Sequence, residues 1–123
     1  FYENSPINQQ NSLIQKDDKQ QKKKIECLKL DTVLMKYNVG SFEYLNIDVE
    51  GSELNVIKGI NFRKFSPILI TIENNDLFPE DYFNNEVYKI LKKNDYIFIN
   101  KIGVTNFFMI KKFANQISDL IKI

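Results

Sequence analysis

Apolar residues are distributed unevenly along this chain. From Asn8 to Lys24 almost every position is polar, and neither a two-residue nor a 3.6-residue period can be traced. Residues 1–24 therefore read as a polar loop or arm, and residues 25–123 as the folded part of a single domain. Ile25 to Leu30 predicts a short strand. Asp31 then predicts a cap for a helix over Thr32 to Tyr37, stopped by Asn38 and Gly40. Phe42 to Val49 predicts a second strand. Ser52 is placed to cap a helix from Glu53 to Lys58 that turns Leu54 and Ile57 inward and closes at Gly59. Pro67 opens a strand over Ile68 to Glu73, whose apolar run lacks polar alternation, as expected of a strand covered on both faces. Phe83, Val87, Ile90 and Leu91 predict a helix over Glu80 to Lys93, with acids at its start and lysines at its end. Tyr96 to Lys101 and Thr105 to Lys111 predict two strands of a hairpin around Gly103. Phe113, Ile117, Leu120 and Ile121 predict a last amphipathic helix.

Strands alternating with helices argue for an α/β fold. The expected architecture is a Rossmann-like, mostly parallel sheet with helices on both faces and a C-terminal antiparallel hairpin. Phe42, Phe83, Phe107 and Phe108 fall at core-facing positions, and Cys27 reads as a small buried residue within a strand. Sheets of this class usually begin with a strand and a glycine-rich turn. Only four glycines are present, and no two are spaced for that turn. The chain also opens on Phe1 rather than Met, so it reads as processed, trimmed or cut from something longer, and the architecture looks incomplete. A sheet cut in this way leaves an unpaired edge, which predicts self-association.

Composition narrows the chemistry. With 123 residues the chain holds one domain. Its 17 basic and 16 acidic residues nearly cancel, which points to neither nucleic acid nor a membrane surface as partner. No apolar run approaches the roughly 20 residues that span a bilayer. One cysteine excludes an intrachain disulfide, and the lack of histidine excludes a Ser-His-Asp site and histidine metal ligands. Cytoplasmic localisation is the default expectation for a chain without disulfides. The 16 lysines and 15 asparagines, with 17 isoleucines, use A/T-rich codons, so genome base composition accounts for them before any ligand does.

Any chemistry must then rest on carboxylates, lysine, tyrosine, hydroxyls, Cys27 or a bound cofactor. In open α/β sheets ligands bind at the carboxyl ends of parallel strands. One strand here ends in Asp48-Val49-Glu50 and another in Glu73-Asn74-Asn75-Asp76. If the two are parallel neighbours, both acidic clusters open on one edge. In an extended backbone Asp48 and Glu50 share a face, with Glu53 one helical turn further on. Such a rim could remove a proton from a hydroxyl, hold a hard divalent cation, or accept hydrogen bonds from substrate hydroxyls. Equally, Glu50 and Glu53 could simply stabilise a helix N-terminus and face water.

The stretch Tyr44-Leu-Asn-Ile-Asp-Val-Glu-Gly-Ser-Glu-Leu-Asn-Val-Ile-Lys-Gly59 closely resembles the signature of the FkbM-type S-adenosylmethionine-dependent methyltransferases. That signature reads Leu-Lys-Ile-Asp-Val-Glu-Gly, a small residue, Glu, and an apolar helix ending in Lys/Arg-Gly. Asn11-Ser12-Leu13, Leu30-Asp31, Pro67 to Glu73, Tyr96 and Asn106-Phe107-Phe108 extend the likeness over about residues 11 to 112. Asn46 stands where the family usually has lysine, so any pair made by that lysine is lost here.

The resemblance implies methyl transfer from S-adenosylmethionine to a hydroxyl oxygen of a sugar or small metabolite, by in-line displacement at the sulfonium methyl. The acceptor would be a small molecule or glycan. The family's main cofactor contacts lie on a glycine-rich turn and a following acid that this chain does not contain, so no cofactor-binding residue is assigned, and the missing N-terminal half of the domain is the implied partner. Asp48 is the first candidate to orient or deprotonate the acceptor, followed by Glu50 and Glu73. Glu53, Gly51 and Asn46 are candidates for substrate binding or for support of the motif: Glu53 could tie the motif loop together, and Gly51 reads as a backbone requirement. No metal is assigned. Two other readings stay open: a non-catalytic relic or interaction module with the same fold, and a Mg²⁺-dependent hydrolase using Asp48, Glu50 and Glu73.

Overall fold

A computed structural model describes residues 26–74 and 84–121, except the side chains of Leu120 and Ile121. The predicted polar arm, Phe83 and the first residues of the Glu80 helix lie outside the described residues. Eight elements follow in order: α1 (Leu30–Lys36), β1 (Tyr44–Ile47), α2 (Glu53–Lys58), β2 (Leu69–Glu73), α3 (Glu86–Lys93), β3 (Tyr96–Ile102), β4 (Thr105–Ile110) and α4 (Lys111–Ile121). The strands form one sheet in the order β1-β2-β4-β3.

The chain is α/β as its alternation implies, but the sheet is not mostly parallel among the described residues. β1 and β2 form the one parallel pair, and β4 runs antiparallel to both β2 and β3. The cause is the order of the sheet. Gly103, at φ +59°, turns β3 into β4 as a hairpin, and β4 inserts between β3 and β2. One short hairpin thereby supplies two of the three strand pairings.

Other boundaries differ for local reasons. Residues 26–29 form no strand, and Cys27 is exposed on this irregular segment rather than buried. Asp31 lies inside α1, whose N-cap is Lys29, and makes no capping bond. Its amide instead donates to the carbonyl of Gly59 at 3.0 Å, which ties the start of α1 to the end of α2. A Cβ at Gly59 would sit 3.3 Å from the carbonyls of Asn55 and Val56 and 3.4 Å from the Leu30 amide, so glycine permits this close approach. α3 starts at Glu86 rather than at Glu80. Asn85 is its cap, with its side-chain oxygen accepting from the amides of Val87 and Tyr88 at 2.8 and 3.3 Å. Such a cap is worth about 1 kcal/mol. Glu86 at one end and Lys92 and Lys93 at the other still complement the helix dipole.

The core lies between one sheet face and helices α2 and α3. Ile47, Ile70, Ile72 and Phe108 point from the strands, and Ile57, Val87 and Leu91 meet them from the helices. Each such side chain stabilises the fold by about 1.5–3 kcal/mol through burial. Phe108 meets Phe98 edge-on at 5.6 Å between ring centroids, and half-buried Phe42 stacks on Phe65. Tyr96 is buried too, and its hydroxyl donates to the Pro67 carbonyl at 2.5 Å. Burial pushes that phenol well above the ordinary tyrosine range.

Strand alternation puts Tyr44, Asn46, Thr71 and Phe107 on the opposite face. Tyr44 and Ile97 remain exposed there, and Phe107 is half-buried. Among the described residues β1 and β3 are the edges of the sheet, and no helix is long and apolar enough to cross a membrane.

Candidate active site at the carboxyl ends of two parallel strands

Parallel pairing of β1 and β2 decides where the acids go. The register sets Ile47 opposite Ile72, and one further step sets Asp48 opposite Glu73. Neighbouring strands lie about 4.8 Å apart, so two side chains in this relation meet. They do. The Asp48 carboxylate is the largest cause of a raised Glu73 pKa, partial burial is the second, Glu50 the third, and a hydrogen bond to Asp48 adds to these. Glu53 raises it further. Glu73 therefore keeps its proton to higher pH than an ordinary glutamate.

Beyond Ile47 the backbone leaves the extended conformation. Glu50 has φ +52° and Gly51 φ +98°, two successive residues in the left-handed region. Glycine adopts this freely, whereas glutamate pays about 1–3 kcal/mol. The expectation that an extended strand aligns Asp48 with Glu50 thus fails in its premise. The turn nevertheless brings both to the same cavity. Its volume is about 440 Å³, and Asp48, Glu50, Gly51, Glu53 and Glu73 all line it.

Glu53 is the first residue of α2 and is 7% exposed. One carboxylate oxygen accepts the Gly51 amide at 2.9 Å. Ser52 occupies the N-cap position as predicted but makes no side-chain capping bond. The other wall comes from the end of β2 and the start of α3, through Asn74, Asn85, Glu86 and Val87. The N-termini of α2 and α3 thus both border the cavity, and their positive dipole ends offset part of its negative charge. Exposed Glu86 pairs with Lys89 at 3.3 Å.

Asn106 supports this arrangement from the adjoining strand. It is fully buried, and its amide nitrogen lies 3.2 Å from the Ile72 carbonyl, 3.4 Å from that of Asn74 and 3.3 Å from that of Val104. These bonds fix the end of β2, where Glu73 sits, to the β3–β4 turn.

Asn46 is not brought to the cavity. Its side-chain oxygen accepts from the Thr71 hydroxyl at 2.7 Å. With that hydrogen committed, the 2.8 Å contact between Tyr44 and Thr71 has the tyrosine as donor. The three side chains form a chain of hydrogen bonds across the β1–β2 face, which gives Asn46 a structural partner on this sheet.

Sequence reasoning missed Asn85 and Glu86 as parts of the cavity wall, because the apolar period extended the helix back to Glu80. The signal that could have found them is the Asn85-Glu86-Val87 run itself, a capping residue followed by an acid and an apolar residue.

The donor set bears on what the cavity could hold. Among the described residues no three acidic or cysteine side chains are placed to hold a metal ion. An adenosine group is not matched either: the lining contains no aromatic side chain, and its apolar part is limited to Leu54 and Val87. The cavity suits a small polar molecule rich in hydrogen-bond donors.

Residues 1–98 match the family described as the methyltransferase FkbM domain. No curated protein and no solved structure matches the chain.

Proposed function

The chain belongs to the methyltransferase FkbM family, and from that premise we propose that the acidic cavity receives the acceptor of a methyl transfer. The acceptor is a hydroxyl-bearing sugar or small metabolite, and the donor is S-adenosylmethionine. Family membership implies this donor in general terms. The lining of this cavity does not match its adenosine group, so the donor is assigned to a separate site and this cavity is given the acceptor side of the reaction.

The observation that carries the reading is the meeting of Asp48 and Glu73 at the strand ends. A hydroxyl becomes a better nucleophile as its proton is drawn away, and a carboxylate within hydrogen-bond reach can accept that proton. Asp48 takes this role. Glu73 shares a hydrogen bond with Asp48, whose carboxylate raises the Glu73 pKa above its ordinary value. Glu50, exposed at the rim, binds further hydroxyls of the acceptor. Holding the acceptor in line with the donor methyl supplies the rest, an effect that reaches roughly 7–11 kcal/mol at best.

Binding of S-adenosylhomocysteine followed by calorimetry, together with transfer of a labelled methyl group to a panel of sugars, tests the reading. Donor binding with transfer that is lost in Asp48→Asn supports it. Absence of donor binding overturns it in favour of an interaction module with the same fold.

A further inference from the structure

The turn between β1 and α2 is held from one side by a single buried carboxylate. Three observations converge on it. Glu50 and Gly51 occupy successive left-handed conformations, at φ +52° and +98°. Glu50 is outside the residue types that tolerate this region, so the turn relaxes unless something fixes it. Ser52, at the N-cap position of α2, makes no side-chain bond that would do so. The Glu53 side chain does: it is 7% exposed, reaches back over the turn and accepts the Gly51 amide at 2.9 Å.

We propose that Glu53 is a positioning residue, whose hydrogen bond from the Gly51 amide locks the Asp48–Ser52 turn in the conformation that sets Asp48 against Glu73. The inference rests on the acceptor-site reading of this cavity. It assigns Glu53 no contact with substrate. Its carboxylate acts through the backbone, and what it needs is an acceptor oxygen at the right reach. Charge is secondary. Glutamine at position 53 preserves reach and acceptor while removing the charge. Aspartate preserves the charge, but its side chain is one methylene shorter and falls short of the Gly51 amide.

This crossed pair separates positioning from charge. Glu73 reports on the geometry because Asp48 is the largest influence on it. The other groups facing it are Glu50 and Glu53, with Glu86 on the far wall of the cavity held by Lys89. NMR of the 123-residue chain, without methyl donor, follows two signals: hydrogen exchange of the Gly51 amide and titration of the Glu73 side-chain carboxyl. The expected result is a protected Gly51 amide in the parent and in Glu53→Gln, with Glu73 raised in both. In Glu53→Asp, Gly51 exchange accelerates about tenfold or more and the Glu73 midpoint falls toward the ordinary glutamate value. A Gly51 amide that exchanges freely in the parent overturns the proposal without any variant. So does Glu53→Asp behaving like the parent, or Glu53→Gln lowering Glu73 as much as Glu53→Asp does, which would make charge the operative property. Because no donor or acceptor is present, these outcomes are independent of whether methyl transfer is the reaction.

Discussion

Asp48 and Glu73 stand opposite one another at the ends of the one parallel strand pair, one step beyond the Ile47–Ile72 pairing, and the carboxylate of the first raises the pKa of the second. Two acids are costly to hold this close when both are ionised. The fold enforces the meeting through the register of β1 and β2 and through Asn106, which ties down the end of β2.

Replacing Asp48 by Asn removes the largest influence on Glu73. The Glu73 midpoint falls toward the ordinary value, as read by carboxyl NMR titration. With the proton acceptor gone, methyl transfer drops by about 10²-fold or more, while binding of S-adenosylhomocysteine is unchanged. A variant that transfers methyl groups at the parent rate would remove Asp48 from the reaction.

Glu73 also predicts a pH dependence of stability. Its folded pKa is raised above the ordinary value of 4.5. In the window just above 4.5 the folded state therefore binds more protons than the unfolded state, and this group's contribution to stability falls as pH rises through the folded pKa. Glu73→Gln should be more stable than the parent at neutral pH, with the difference shrinking as pH is lowered below 4.5. Urea titrations at pH 4 and pH 7 measure it. A difference that grows toward low pH would show the opposite sign.

Asn106→Ala takes away an amide shared among three carbonyls in a fully buried position. The expected cost is about 2–3 kcal/mol, from buried carbonyls losing a partner and a small cavity. Since Asn106 also fixes the end of β2, the Glu73 titration should move toward normal in the same variant. Thermal unfolding and carboxyl NMR report the two effects separately.

Tyr96→Phe keeps the ring in the core and deletes only the hydroxyl that donates to Pro67. Leaving that carbonyl without this donor costs about 1–3 kcal/mol. The urea midpoint should fall with an unchanged slope, because the surface exposed on unfolding is the same. An unchanged midpoint would mean that water replaces the tyrosine.

Much of the local structure is legible in the sequence. Ser52 and Gly59 bracket α2 as the Glu53 to Lys58 pattern requires, and Gly103 marks the turn of the β3–β4 hairpin. The acids are legible too, since Asp48, Glu50, Glu53 and Glu73 all reach one cavity. The misreadings share a cause. The segment around Cys27 has the composition of a strand, but among the described residues no neighbouring strand pairs with it. The apolar period before α3 ignored the competing capping signal of Asn85. Sequence alone could not show that Thr71, on the next strand, is the hydrogen-bond partner of Asn46.

The sequence by itself determined the alternation of strands and helices, the hairpin, the acidic strand ends and the resemblance to a methyltransferase family, because all of these are written in spacings of a few residues. Only the tertiary structure decided which strands are neighbours. Inserting β4 between β2 and β3 made the sheet mixed, and the register of β1 against β2 turned two separate acidic clusters into one site. Strand order and register depend on pairings between residues far apart in the chain, and no local pattern encodes which partner a strand will take.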